Sequence, residues 1–235
     1  GQLIASILSK KIAAGATHLI VDIPVGPTAK VRDAVAAKRL TAALEHTARG
    51  FGLTVRTLAT DGSQPIGRGI GPALEALDVL EVLRGDGNAP VDLREKSLCL
   101  AGALLELVDL APAGAGLAAA RGALDQGRAW HTFQRICEEQ GGMREPPVAT
   151  HIHEVTAERA GIVVGIDNRK LARAAKLAGA PDDKAAGVKL HVRVGDRAAL
   201  GQPLYTIHSE HGGGLDYALG YVAQAGAIVA TGDPE

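Results

Sequence analysis

The sequence predicts an α/β protein: a partial α/β domain, with helices around a mixed sheet, followed by a smaller C-terminal α+β domain. Three observations predict it. Up to Arg84 the apolar spacing alternates between helical and strand periods with short links, the pattern of an α/β unit. From Asp92 to Gly142 the spacing is helical throughout. Glu145-Pro146-Pro147 then marks a boundary, and short strand-like runs follow it.

Each element has its own signal. Leu3, Ile4, Ile7, Leu8 and Ile12 form the stripe of an amphipathic helix over Leu3–Ala14, and Gly15 is a stop. His18–Ile23 reads as a buried strand ended by Pro24-Val25-Gly26-Pro27. The Ala-rich run Asp33–Gly50, with Leu40 and Leu44, reads as a helix, and Leu53–Ala59 alternates as a second strand. Thr60–Pro65 is a loop. Gly71-Pro72 opens a helix to about Arg84, with proline at the favoured first turn. Helices are expected over Leu93–Val108, Gly114–Gln126 and Ala129–Gln140. Beyond the boundary, strands are expected at Thr150–Val155, Gly161–Ile166, Val188–Val194, Pro203–His208 and Ala227–Thr231. Helices are expected at Asn168–Leu177 and from the triplet Gly212–Gly214 to about Gln224.

Composition excludes several function classes. Of 235 residues, 46% are hydrophobic and 22% charged, which is ordinary globular usage. Lys+Arg (25) and Asp+Glu (26) leave a net charge of −1, so nothing favours capture of nucleic acid or an anionic membrane. Aromatics are 3%, too few for base-stacking platforms. No apolar run approaches the ~20 residues of a membrane span, and no signal peptide is evident, so a cytoplasmic setting is expected. Cys99 and Cys137 make neither a disulfide framework nor a metal spacing. Cys99, inside the apolar run Ser97–Leu105, is expected in the core. The only methionine is Met143, so Gly1 is not expected to be a translational start.

Three motifs carry candidate chemistry. Ser6 and Lys10 are four apart and share one face of the first helix. A hydroxyl and an ammonium there can hold a heterocycle bearing carbonyl oxygens and ring N–H groups, although such a pair is also simply a solvated face. Thr60–Gly71 (TDGSQPIGRGIG) is rich in glycine and hydroxyls and could cradle an anion. It fits neither a Walker sequence nor a dinucleotide fingerprint, so glycines serving turns are the plainer reading. His151-Ile152-His153 places two imidazoles on one strand face, but no second cluster completes a metal site, and His208 and His211 are near only in sequence. No metal is expected. The turn pattern of Val194–Tyr205 is that of biotinyl- and lipoyl-type domains, but the modified lysine is not evident, so no carrier role follows.

A family comes into view on three stretches. Ala5–Gly15 with His18–Gly26 (HLIVDIPVG) resembles the segment in which thymidine and pyrimidine-nucleoside phosphorylases run from the base-binding helix into the central strand. Thr60–Pro65 through Gly71-Pro72-Ala73-Leu74-Glu75 is similar to their TD-x-x-QP-x-G…G-x-A-LE stretch. The region after Pro147 resembles their C-terminal domain. The resemblance implies phosphorolysis of a pyrimidine nucleoside, such as thymidine, to a free base and a pentose 1-phosphate. It implies a homodimer acting on a small-molecule nucleoside with inorganic phosphate as co-substrate and no cofactor. It implies that Ser6 and Lys10 hold the base. It divides the chain into 1–14, a remnant of the helical domain, 15–145, the remainder of the α/β domain, and 148–235, the C-terminal α+β domain. The arginine that also holds the base and the phosphate-binding segment lie upstream in the family. The chain alone is therefore expected to be a fragment without phosphorolytic activity. At Ile23–Lys30 (IPVGPTAK) the sequence departs from the KVGSGAF-like turn of thymidine phosphorylases. There it resembles the branch containing archaeal AMP phosphorylases, which leaves a nucleoside 5′-monophosphate as the alternative substrate and Lys30 as a candidate for the extra phosphate. An inactive assembly fragment is the reading from another class.

Overall fold

The computed structural model describes residues 2–232. It has the α/β class that the sequence predicts, with parallel and antiparallel strand pairs among helices, and it divides into two compact units.

The first unit comprises Gly1–Gly62 and Glu95–Arg128. Helix α1 (Gln2–Ala13) leads into β1 (His18–Val25), helix α2 (Ala34–Arg49) and β2 (Thr54–Asp61). The two strands pair in parallel, from His18 opposite Thr54 to Val25 opposite Asp61. A parallel pair requires a crossover, and α2 supplies it. Asp33 caps α2: its Oδ1 accepts from the Ala36 N–H at 2.7 Å, which satisfies one of the helix's free donors. The core is Leu8, Ile23, Ala37, Leu44, Ala48 and Leu53, with Ile4, Ile7 and Ile12 of α1 packed on it. Most of helix α4 (Val91–Leu107) and all of α5 (Gly116–Asp125) also belong here. The Glu106 carboxylate accepts from the N–H groups of Gly114 (3.1 Å) and Gly116 (3.0 Å), fixing the turn between them.

The second unit comprises Ser63–Arg94 and Ala129–Glu235. Its strands are β3 (Gly69–Ile70), β4 (His151–Thr156), β5 (Gly161–Ile166), β6 (Gly187–Leu190), β7 (Arg197–Ala198), β8 (Pro203–Ser209) and β9 (Val229–Gly232). They form a four-stranded sheet, β3-β6-β8-β4, and a three-stranded one, β7-β5-β9, antiparallel throughout. Helices α7 (Asn168–Leu177) and α8 (Gly212–Gln224) pack on each other and on the first of these sheets. The core runs from Val163 and Leu171 through Val188, Leu190, Tyr205 and Ile207, each 2% exposed or less. Burial raises the Tyr205 phenol to about 12. Helix α3 (Pro72–Arg84) starts where Gly71 passes close to Ala186 and Gly187. Its φ of 129° and the Ala186 carbonyl leave no room for a Cβ, so only glycine serves. Trp130 and Phe133 of helix α6 (Arg128–Glu139) stack, and the Arg84 guanidinium lies 5.0 Å from the Trp130 ring centre.

Two expectations are corrected, and two short strands are added. Cys99 is exposed: on α4 the buried side is carried by Leu98, Gly102 and Ala103, and Cys99 lies a quarter-turn round from Leu98. The strand expected over Val188–Val194 ends at Leu190, because Asp196 turns back to accept from the Arg193 N–H at 2.7 Å. The two-residue strands β3 and β7 are additions to the sequence reading.

Candidate nucleoside-base site

Helix α1 buries one side only. Leu8 is 2% exposed, with Ile4, Ile7 and Ile12 beside it. At 3.6 residues per turn, Ser6 and Lys10 fall one turn apart on the opposite side, and both are exposed. The structure thus presents a hydroxyl and an ammonium from one rigid helix, side by side, above no competing carboxylate of that helix. A ring with carbonyl oxygens can accept from both, and the ammonium offsets negative charge that builds on such a ring.

From α1 the chain turns at Gly15 and enters β1. Open parallel sheets place ligand sites at the carboxyl ends of their strands, and a polar cluster links Asp22 of β1 to Thr60 near that end of β2. Asp22 Oδ1 accepts from Thr60 Oγ1 at 2.6 Å, and Asp22 Oδ2 pairs with the Lys96 ammonium at 2.6 Å. Both charged groups are largely withdrawn from water, at 24% and 16% side-chain exposure. The turn that follows is closed by the Gly26 N–H donating to the Val31 carbonyl at 3.1 Å, and Lys30 projects into solvent. Sequence reading did not find the Asp22–Lys96 pair. The signal available was an aspartate in the middle of an otherwise apolar strand.

In the second unit the glycine-rich stretch serves structure. The N–H groups of Arg68 and Gly69 donate to Asp78 Oδ2 at 2.5 and 2.8 Å, and that of Gly67 donates to Asp92 at 3.3 Å. The carbonyls of Pro65 and Gly67 accept from the Arg193 guanidinium, which also pairs with Asp92 at 2.9 Å. The N–H groups of Gly67, Arg68 and Gly69 are therefore spent on carboxylates of the same unit, which fits the plainer reading of these glycines. Asp78, 5% exposed, was not singled out from the sequence either. The signal was again a lone charge on the buried side of a helix.

Among the histidines, His208 has its pKa lowered by burial and by the Lys189 and His191 charges. His191, with Nε2 2.6 Å from Thr206 Oγ1, is lowered by burial and by Lys189. Both sit in the four-stranded sheet region and carry none of the expected roles. A cavity of about 630 Å³ in the same unit, lined by Tyr205, Arg159 and Ile228 among others, contains no residue expected at the site.

Comparison with known proteins agrees with the resemblance. Residues 162–228 match the pyrimidine nucleoside phosphorylase C-terminal domain. The chain is 58% identical over 229 residues to a protein of Chelativorans sp. strain BNC1 provisionally named thymidine phosphorylase. It is 56% identical over the same length to proteins so named from Tolumonas auensis and Parvibaculum lavamentivorans. Each match covers 97% of this chain and 45% of the relative, so the chain spans about half the length of the curated relatives it matches. No helix among the described residues is long and apolar enough to cross a membrane. By sequence, the chain is similar at 56–58% identity to about half the length of proteins named thymidine phosphorylase, and its residues 162–228 match the pyrimidine nucleoside phosphorylase C-terminal domain.

Proposed function

We propose that the whole protein to which this chain corresponds splits a pyrimidine nucleoside, thymidine first, with inorganic phosphate, and that α1 supplies the base-holding side of the site. The observation that carries this is the placement of Ser6 and Lys10, exposed and one turn apart, opposite the buried stripe of α1. In the reaction the glycosidic C1′–N bond breaks and a C1′–O bond to phosphate forms. The base departs with the bonding electron pair and takes a proton from solvent. Ser6 orients the base through a carbonyl, and the Lys10 ammonium stabilises the charge on the departing ring. The contribution of both residues is positioning and electrostatics. Phosphate binding falls to a segment outside these 235 residues, and the functional protein is read as a homodimer.

The purified 235-residue chain is then expected to release no thymine from thymidine above the phosphate-free background. The full-length protein is expected to do so, and Lys10→Ala in that protein to lower kcat about a hundredfold or more. Chromatographic measurement of free base checks both. Phosphate-dependent release by the short chain alone would contradict the division of the site.

A second substrate is favoured by one observation: the turn Ile23–Lys30 departs from the thymidine phosphorylase pattern and carries the exposed Lys30. Under this reading the substrate is a nucleoside 5′-monophosphate. A side-by-side assay of the full-length protein on thymidine, uridine and AMP decides, since a strong preference for AMP removes the thymidine reading.

A further inference from the structure

Near the start of α8 the fold brings together three side chains that the proposed phosphorolysis does not use. The ligand atoms of Asp183, Glu210 and His211 all lie within 4.8 Å of one another. Asp183 comes from the loop between α7 and β6, while Glu210 and His211 follow β8, so the cluster joins two segments distant in sequence. Two of the three residues are tied to the fold behind the cluster. Glu210 Oε1 accepts from the Ala185 N–H at 2.8 Å, and the Glu210 carbonyl accepts from Thr150 Oγ1 at 3.2 Å. The Asp183 N–H donates to the Gly179 carbonyl at 3.0 Å. The Asp183 carboxylate occupies the space a Cβ on Gly179 would need, and Gly179 has a φ of 123°.

Two further observations point to a cation here. Two carboxylates in one cluster repel unless a positive group lies between them. Among the described residues neither is paired with a lysine or arginine: the nearest in sequence, Lys184, gives its ammonium to the Pro181 carbonyl at 2.9 Å. A second imidazole stands alongside. His151 of β4 is exposed, and its Cε1, flanked by both ring nitrogens, lies 3.9 Å from where a Cβ on Gly212 would be, one residue past His211. Two carboxylate oxygens with one or two imidazoles are the donor set of a divalent transition cation. Zinc takes such sets at about 2.0–2.2 Å, and hard cations such as magnesium prefer oxygen alone.

We propose that Asp183, Glu210 and His211 form a binding site for a divalent transition cation, zinc first, with water completing its shell. The ion ties the α7–β6 loop to the β8–α8 junction within the second unit. Its role is structural, and it stands independently of the phosphorolysis reading.

The test uses the 235-residue chain freed of metal with a chelator. Calorimetric titration with zinc is expected to show one site, with a rise in Tm on loading, and magnesium is expected to give neither. His211→Ala, at an exposed position, should weaken zinc binding more than about tenfold and remove the Tm rise. Glu210→Gln, which keeps an oxygen to accept from Ala185, should do the same without unfolding the chain. His131→Ala, an exposed histidine elsewhere, should bind as the parent does. Failure of the parent to bind zinc overturns the proposal, as does binding as tight as the parent's by His211→Ala and Glu210→Gln. In that case the carboxylates serve only the positive end of α8.

Discussion

The two units hold a carboxylate drawn back from water in opposite ways. In the first, Asp22 faces side-chain partners, Thr60 and Lys96, each of which can turn to water if the aspartate is lost. In the second, Asp78 faces backbone N–H groups of Arg68 and Gly69, which cannot turn away, together with the Arg68 guanidinium. The first arrangement leaves polar groups adjustable beside a parallel sheet, the kind of place where a ligand exchanges for a side chain. The second fixes a loop. The contrast separates a surface suited to chemistry from a scaffold, although the glycine-rich loop carries the more motif-like sequence.

The largest expected effect tests that contrast directly. Asp78→Ala strands two backbone donors and should cost about 3 kcal/mol, while Asp22→Ala should cost about 1 kcal/mol. Urea denaturation of both variants measures the difference, and equal costs would remove the distinction. Acid should separate the units next. His191 is lowered from its ordinary 6.5, first by burial and then by Lys189, so folding favours its neutral form. Its contribution is present above 6.5 and is lost as pH falls through the lower folded value. Glu106 in the first unit is lowered from 4.5, chiefly by the Gly116 N–H, so its contribution persists to below 4.5. Hydrogen exchange followed down the pH scale should therefore show the second unit loosening first, and His191→Asn should narrow the gap. The smallest effect is expected where function is proposed. Ser6→Ala and Lys10→Ala face away from the α1 core and should change stability by no more than about 0.5 kcal/mol. A larger loss would mean that these side chains hold the fold.

Much of this was legible in the sequence, for reasons that can be named. Pro72 after Gly71 announces a helix start because its chemistry is local. The α1 stripe announces which side is free. Strands β3 and β7 were not legible, because two residues show no period. Cys99 was misplaced because an apolar run on a helix reports composition, whereas burial follows angle around the axis. The cluster of Asp183, Glu210 and His211 was invisible because β6 and β8 pair antiparallel only in the folded chain. His151 and His211 were read as unrelated for the same reason. Ser6 and Lys10 were legible because both lie on one helix, where spacing alone decides the face.

The central claim is that the free face of α1 is a base-holding surface. Its most direct test is a titration of the isotope-labelled 235-residue chain with thymine, followed residue by residue by NMR. The account predicts saturable shifts centred on Ser6 and Lys10, reduced at least severalfold in affinity by Lys10→Ala. Shifts that appear elsewhere in the chain, or that survive Lys10→Ala unchanged, would contradict it.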